Sequence, residues 1–222
     1  MTAYTLDIQI DNAGLQTISG ANMSIAILQP QANSNYQIVA LLPPAMNNQQ
    51  ITWSDSQLVY SSSYALQSYA VLQINSQATA VSGQTYAFDG STISQSGSSG
   101  LSGTVQLSNS SQKTITSGLA RIFSVNGTQQ PPAILSAASI LANGLGSFQI
   151  ENKIILTLLS GAQVGMAIPT PVIPNMSTTA NKKRNAAVVA QPPLTLDFTA
   201  ANPTQTVHFD DVSNVFVTGA LP

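Results

Sequence analysis

The chain has no cysteine. That excludes a disulfide framework, a thiolate metal site and thiol redox chemistry, and it leaves the redox state of the compartment unmarked. Charge is almost as scarce, with eight acidic and six basic residues among 222, or 6%, where globular chains carry ~25%. A single histidine, His208, excludes a multi-histidine metal site within one chain. The longest apolar run, Ile154 to Ile168, is broken by Ser160, Gly161, Gln163 and Gly165 and falls short of the ~20 residues of a membrane helix. Met1 to Asp11 holds no Lys or Arg and alternates instead of running apolar, so no classical signal peptide is expected. A cytoplasmic inclusion and non-classical export to the extracellular surface both fit.

Neutral polarity takes the place of charge. Asn, Gln, Ser and Thr make up 85 residues, so solubility rests on side chains that both donate and accept hydrogen bonds. The few charges are segregated. Residues 1 to 112 hold four aspartates and no base, residues 113 to 184 hold all six bases against Glu151, and residues 185 to 222 hold three aspartates. The one basic cluster, Lys182-Lys183-Arg184, sits in a polar loop, whereas duplex binding needs several phosphates neutralised together. No nucleic-acid partner is expected.

Period-two alternation dominates. Tyr4, Leu6, Ile8 and Ile10 face one way and Thr5, Asp7 and Gln9 the other, the pattern of a half-buried strand. Met23, Ile25 and Ile27 repeat it. Further strands are predicted over 36–42, 49–53, 58–61, 69–74, 84–88, 104–107, 119–125, 153–159, 194–198, 205–209 and 214–218, separated by Pro43-Pro44, Asn47-Asn48, Ser61 to Ser63 and Ser82-Gly83. The expectation is a single all-β domain over 1–222, an antiparallel β-sandwich or jelly-roll-like fold. At most one short helix is expected, over Ala133 to Asn143, with Pro131-Pro132 ahead of it and Gly144 behind. Two segments, 91–103 and 169–185, read as mobile excursions from the core.

The residues offer little catalytic chemistry. Glu151 is the only glutamate, while a glycosidase needs two carboxylates facing each other across a sugar. Asp210 and Asp211 are neighbours on a predicted strand and point to opposite faces. His208 has Thr206 and Asp210 as its alternation partners, which makes a polar sheet face, and Gly-x-Ser-x-Gly is absent. No phosphate-cradling glycine loop occurs. Catalytic residues, cofactor-binding residues, metal ligands and cofactors are all expected to be none. Four Asn-x-Ser/Thr sequons, at Asn22, Asn109, Asn126 and Asn175, match what this composition yields by chance. Trp53 alternates with Ile51, which assigns it to the core.

The block Ile38-Val39-Ala40-Leu41-Leu42-Pro43-Pro44, followed by Gln50-Ile51-Thr52-Trp53 and Leu58-Val59-Tyr60-Ser61, resembles the RhiA (rhizosphere-expressed protein) family. Leu194-Thr195-Leu196-Asp197-Phe198, with a closing strand near Val215 to Thr218, is similar in order. The chain departs from that family in lacking a second tryptophan in the third strand and in the Ser/Thr segment after Phe88. The resemblance implies a non-enzymatic β protein and carries over no catalytic residue.

Three functions fit this reading. The first is a self-associating structural subunit of a layer, fibre, inclusion or appendage, because low charge removes long-range repulsion and neutral polar groups pack readily. Its partner is a further copy of itself, with the strand Tyr4 to Ile10 expected to offer a sheet edge. The same surface also suits an ordinary monomer. The second is a pore-forming or membrane-active toxin, because from Ser91 to Ser117 14 of 27 residues are Ser or Thr and Leu101, Val105, Leu107 and Ile115 recur at odd positions. The third is a carbohydrate-binding module, with a glycan as partner.

Overall fold

The computed structural model describes residues 2–30, 35–44, 46–67, 69–149, 151–169, 188–189 and 192–222. The first half runs through Ala3–Gln9 (β1), the helix Asn12–Gly20 (α1), Ser24–Pro30 (β2), Asn35–Leu42 (β3), Asn48–Ser54 (β4) and Gln57–Ser62 (β5). Ser76–Ala80 (β6), Gln84–Phe88 (β7), Ile93–Ser98 (β8), Thr104–Asn109 (β9) and Ile115–Arg121 (β10) follow. Then come Phe123–Val125 (β11), Thr128–Gln129 (β12), Ala133–Ile134 (β13), Ala138–Ile140 (β14), Leu145–Gln149 (β15) and Lys153–Ser160 (β16). Ala167–Pro169 (β17), Val188–Val189 (β18), Leu194–Asp197 (β19), Thr204–Asp210 (β20) and Val215–Thr218 (β21) complete the series. The protein is an all-β, sandwich-like fold with one helix among the described residues.

Its strands form four sheets, ordered β12-β11-β4-β1-β20-β21, β13-β10-β5-β6, β15-β9-β7-β8 and β17-β3-β2-β16-β18, with β14 on β10 and β19 on β16. Pairing is antiparallel except for β1 with β20 and β7 with β9. Alternation does what the sequence predicts along β1, where Tyr4, Leu6 and Ile8 are buried and the residues between them are not. Fully burying an aliphatic or aromatic side chain stabilises by roughly 1.5–3 kcal/mol, so this single face weighs heavily. The largest core cluster gathers side chains from Tyr4 through Phe216. Within it Trp53 lies 4.7 Å from Phe198 and 5.7 Å from Tyr4, ring centre to ring centre.

Four expectations are corrected. The helix is α1, not 133–143. Asp11 caps it by accepting from Gly14 N at 2.6 Å, and Gly14 and Ile18 form its buried side. Residues 133–140 instead run beside β10 in two pieces, β13 and β14, with Ile134 opposite Ala120 and Ile140 opposite Ile115. Both Leu135 N and Ser136 N donate to Leu119 O where the two pieces meet, so tertiary pairing overrides the proline and glycine punctuation.

Residues 69–74 form no strand. Tyr69 has a left-handed φ of 63°, Val71 makes an isolated bridge, and the strand comes later as β6. The predicted strand 119–125 divides at Ile122, its first part staying with β5 and its second joining β4 in another sheet. Finally, the serine- and glycine-rich stretch read as an excursion supplies β8, paired along β7. Of the other excursion, residues 170–185 lie outside the described residues.

Candidate functional site

Strand position decides which backbone groups remain free to bind another chain. β1, expected as an available edge, is interior: β4 pairs along one side of it and β20 along the other. The longer strands at sheet ends are β6, β8, β15 and β21. None of the four contains Lys, Arg, Asp, Glu or Pro, the residues that usually guard a free edge. β8 is blunted by a register shift opposite Thr85–Tyr86, which leaves Ser96 as an extra residue. β15 has no such shift. Its outward residues Leu145, Ser147 and Gln149 are exposed while Gly146 and Phe148 are buried, and Leu145 is 60% exposed beside Leu141 at 70%. Across this sheet Ser147, Gln106 and Thr85 stand in one row, and Thr85 Oγ1 donates to Gln106 Oε1 at 3.3 Å.

A cleft of about 610 Å³ opens where the ends of β5 and β7 meet the β9–β10 loop. Hydroxyls and amides from Ser61, Ser62, Ser63, Asn75, Ser110 and Gln112 line it over an apolar base, with Asp89 and Lys113 as its charges. Asn109 organises the loop behind it. Fully buried, its Nδ2 donates to Lys113 O at 2.8 Å and to Leu141 O at 3.0 Å, while its Oδ1 accepts from Ser111 Oγ at 2.7 Å. Opposite, Asp89 accepts from Ser91 N, Thr92 N and Thr92 Oγ1, and these bonds hold its carboxyl below the ordinary range.

A second polar group is sealed inside. Arg121 closes β10 at 2% exposure, and among the described residues the one ion pair within 4.0 Å is Lys153 with Asp197, at 3.6 Å. Arg121 instead donates to Asn152 Oδ1 at 2.8 Å, and Asn152 Nδ2 donates to Tyr4 Oη at 3.2 Å. Burial lowers the guanidinium to about 10, against the pull of Asp55 and Tyr4 in the other direction. Arg121 Nε, both amide atoms of Gln57 and Trp53 Nε1 are buried with no protein partner. Gln57 and Arg121 each follow the last matched pair of the β5–β10 ladder, Leu58 with Ala120.

The residues singled out from the sequence are not brought together. Glu151 lines a separate cleft of about 340 Å³ with Gln29, Gln57 and Gln149. Asp210 is taken up by a turn, accepting from Val212 N and Ser213 Oγ, while Asp211 lies in that turn. His208 Nδ1 stands 3.0 Å from Gly219 O. Trp53 is in the core, as its alternation with Ile51 predicts. Val105 and Leu107 are fully buried on β9, and β7 lies between β8 and β9, so the 91–117 segment is not a free hairpin. Lys182, Lys183, Arg184 and Asn175 lie outside the described residues. No described group of three or more His, Asp or Glu is placed to hold a metal ion, and no described helix is long and apolar enough to cross a membrane.

Sequence reasoning missed Arg121, Asn109 and the cleft. A lone arginine in the middle of an apolar strand, Leu119-Ala120-Arg121-Ile122-Phe123, was the available signal for the first. Asn109 and the cleft come from loops that meet only in three dimensions. Comparison with family models, with curated proteins and with solved structures finds no match to this chain.

Proposed function

We propose that the protein is a non-enzymatic subunit that associates with further copies of itself into a layer, fibre, inclusion or appendage, docking through the open edge of β15. One observation carries this reading: the four longer strands at its sheet ends, β6, β8, β15 and β21, hold no charge and no proline. A free edge is a row of unpaired N–H and C=O groups, and an approaching strand satisfies them unless a charge must be desolvated. On β15 nothing of that kind opposes contact, and exposed Leu141 and Leu145 add apolar area beside the backbone. The low overall charge acts in the same direction by removing long-range repulsion. The segments that resemble the RhiA family lie on or beside β3, β4, β5, β19 and β21, and the non-enzymatic character which that resemblance implies agrees with this reading.

Electron microscopy and light scattering of the purified protein test it. Ordered particles or polymers are expected, persisting at salt where the Debye length is below ~8 Å, because few charges take part. Ser147→Lys with Leu145→Lys places two charges on the exposed face of β15 and is expected to return the protein to monomers with an unchanged circular dichroism spectrum. A wild type that stays monomeric at high concentration, or double-lysine protein that assembles as before, overturns the proposal.

A further inference from the structure

We infer that the cleft between the ends of β5 and β7 and the β9–β10 loop is a binding site for a neutral saccharide. Its volume of about 610 Å³ lies within the ~300–1,000 Å³ of small-molecule sites. The uncharged polar side chains of the wall are hydroxyls and amides, which donate and accept at once and so match a sugar hydroxyl. Beneath them Phe88 and Ile115, 7% and 6% exposed, give an apolar floor for the C–H face of a ring. Ser61, 1% exposed, closes the wall at the end of β5.

The charges point to a neutral ligand. Lys113 and Asp89 are the charged residues of the wall, and they cancel. A phosphate meets Asp89, a polycation meets Lys113, and neither gains a net field. A sugar uses both, accepting from the ammonium and donating to the carboxylate. Asp89 takes three bonds within its own turn, and a carboxylate has about four acceptor sites, so one remains. Asn75 accepts from Ser63 N at 2.7 Å and from Ser63 Oγ at 3.0 Å through Oδ1, which leaves Nδ2 to donate. The site is also prepared in advance. Asn109 and Ser111 both bond the Lys113 carbonyl, so the loop that carries Lys113 loses little freedom on binding.

The test uses the full chain on an array of neutral and acidic oligosaccharides, followed by calorimetric titration with the neutral glycan that binds best. Binding to a neutral glycan is expected, unchanged by salt and weakened about tenfold by Lys113→Ala, whose side chain is exposed. Ser110→Trp, which fills the cleft from an exposed position, is expected to abolish binding with an unchanged circular dichroism spectrum. The inference is overturned if no neutral glycan binds, if binding is confined to acidic glycans and falls with salt, or if both variants bind as the wild type does. Assembly of the protein is read separately by light scattering, so failure here leaves the self-association proposal standing.

Discussion

β10 and β15 stand at opposite extremes of burial. Every residue of β10 from Ile115 to Arg121 is buried, with β5 paired on one side and β13 and β14 on the other. β15 buries only Gly146 and Phe148 and is paired with β9 alone. Apart from Arg121 at the end of β10, both strands mix apolar with neutral polar residues, so composition does little to separate them. What separates them is where the polar groups find partners. On β10 they find them inside, Thr116 Oγ1 donating to Tyr64 O at 2.6 Å and Ser117 Oγ to Tyr60 O at 2.5 Å. On β15 Ser147 and Gln149 are left to solvent or to another chain. A charge-poor sequence thus supports a polar interior and a polar surface with the same residue types.

The sharpest way to break the closed side is Gly118→Ala. Gly118 lies mid-strand on β10, and a Cβ there falls on the carbonyl of Ser136, a backbone atom that no side-chain rotation moves away. Placing the methyl requires β10 to part from the segment between β13 and β14. The expected loss exceeds about 4 kcal/mol, the range reserved for core disruption. Urea denaturation of the soluble fraction checks it, and a Gly118→Ala protein within 1 kcal/mol of wild type would falsify the role given to this contact.

Next in size is the Arg121 relay. Asn152→Ala strips a buried guanidinium of its acceptor, and a hydrogen bond to a charged group is worth about 1.5–3 kcal/mol. Adding Arg121→Met removes the stranded charge, and buried ions replaced by apolar side chains of similar volume are often neutral. The double variant is therefore expected to be more stable than Asn152→Ala alone. A double variant that is less stable than the single one shows that Arg121 finds its compensation elsewhere, in the field of Asp55 and Tyr4.

The same contrast explains how much of this fold was legible in the sequence. Strands with one buried face announce themselves by alternation, and β1, β4, β9 and β20 all lie close to their predicted positions. β10 is buried on both faces, so its period vanishes, and Leu119 to Val125 reads as one strand where the chain changes sheets at Ile122. Alternation also reports which face is covered and never which backbone edge is paired, which is why β1 reads as an open edge although β4 and β20 flank it. α1 carries few apolar residues, Leu15 and Ile18 among them, too few to reveal a helical period, although its capping Asp11 is visible. The cleft needed Asn75, Asp89 and Lys113 to converge from separate loops, and no spacing encodes that.

The smallest expected effect sharpens the comparison through pH. Tyr60 faces a minor core cluster beside β10, fully buried, and its hydroxyl donates to Ser136 O at 3.0 Å. Burial pushes its ionisation far above the ordinary value of 10.0. A raised folded-state pKa contributes stability that is complete below the unfolded value and is lost as pH climbs past it, because only the unfolded chain then gives up the proton. Each pH unit above 10 therefore costs about 1.4 kcal/mol through this one group. Tyr60→Phe lacks the proton altogether. Below pH 10 it is expected to be less stable than wild type by about 1–2 kcal/mol, the worth of the lost bond and the carbonyl left bare. Above pH 10 its curve falls less steeply, and the two are expected to cross about one unit higher. Thermal or urea unfolding from pH 8 to 11.5 measures both limbs. Parallel curves through that range mean that the Tyr60 hydroxyl reaches solvent in the folded protein, and β10 is then less tightly closed than its burial describes.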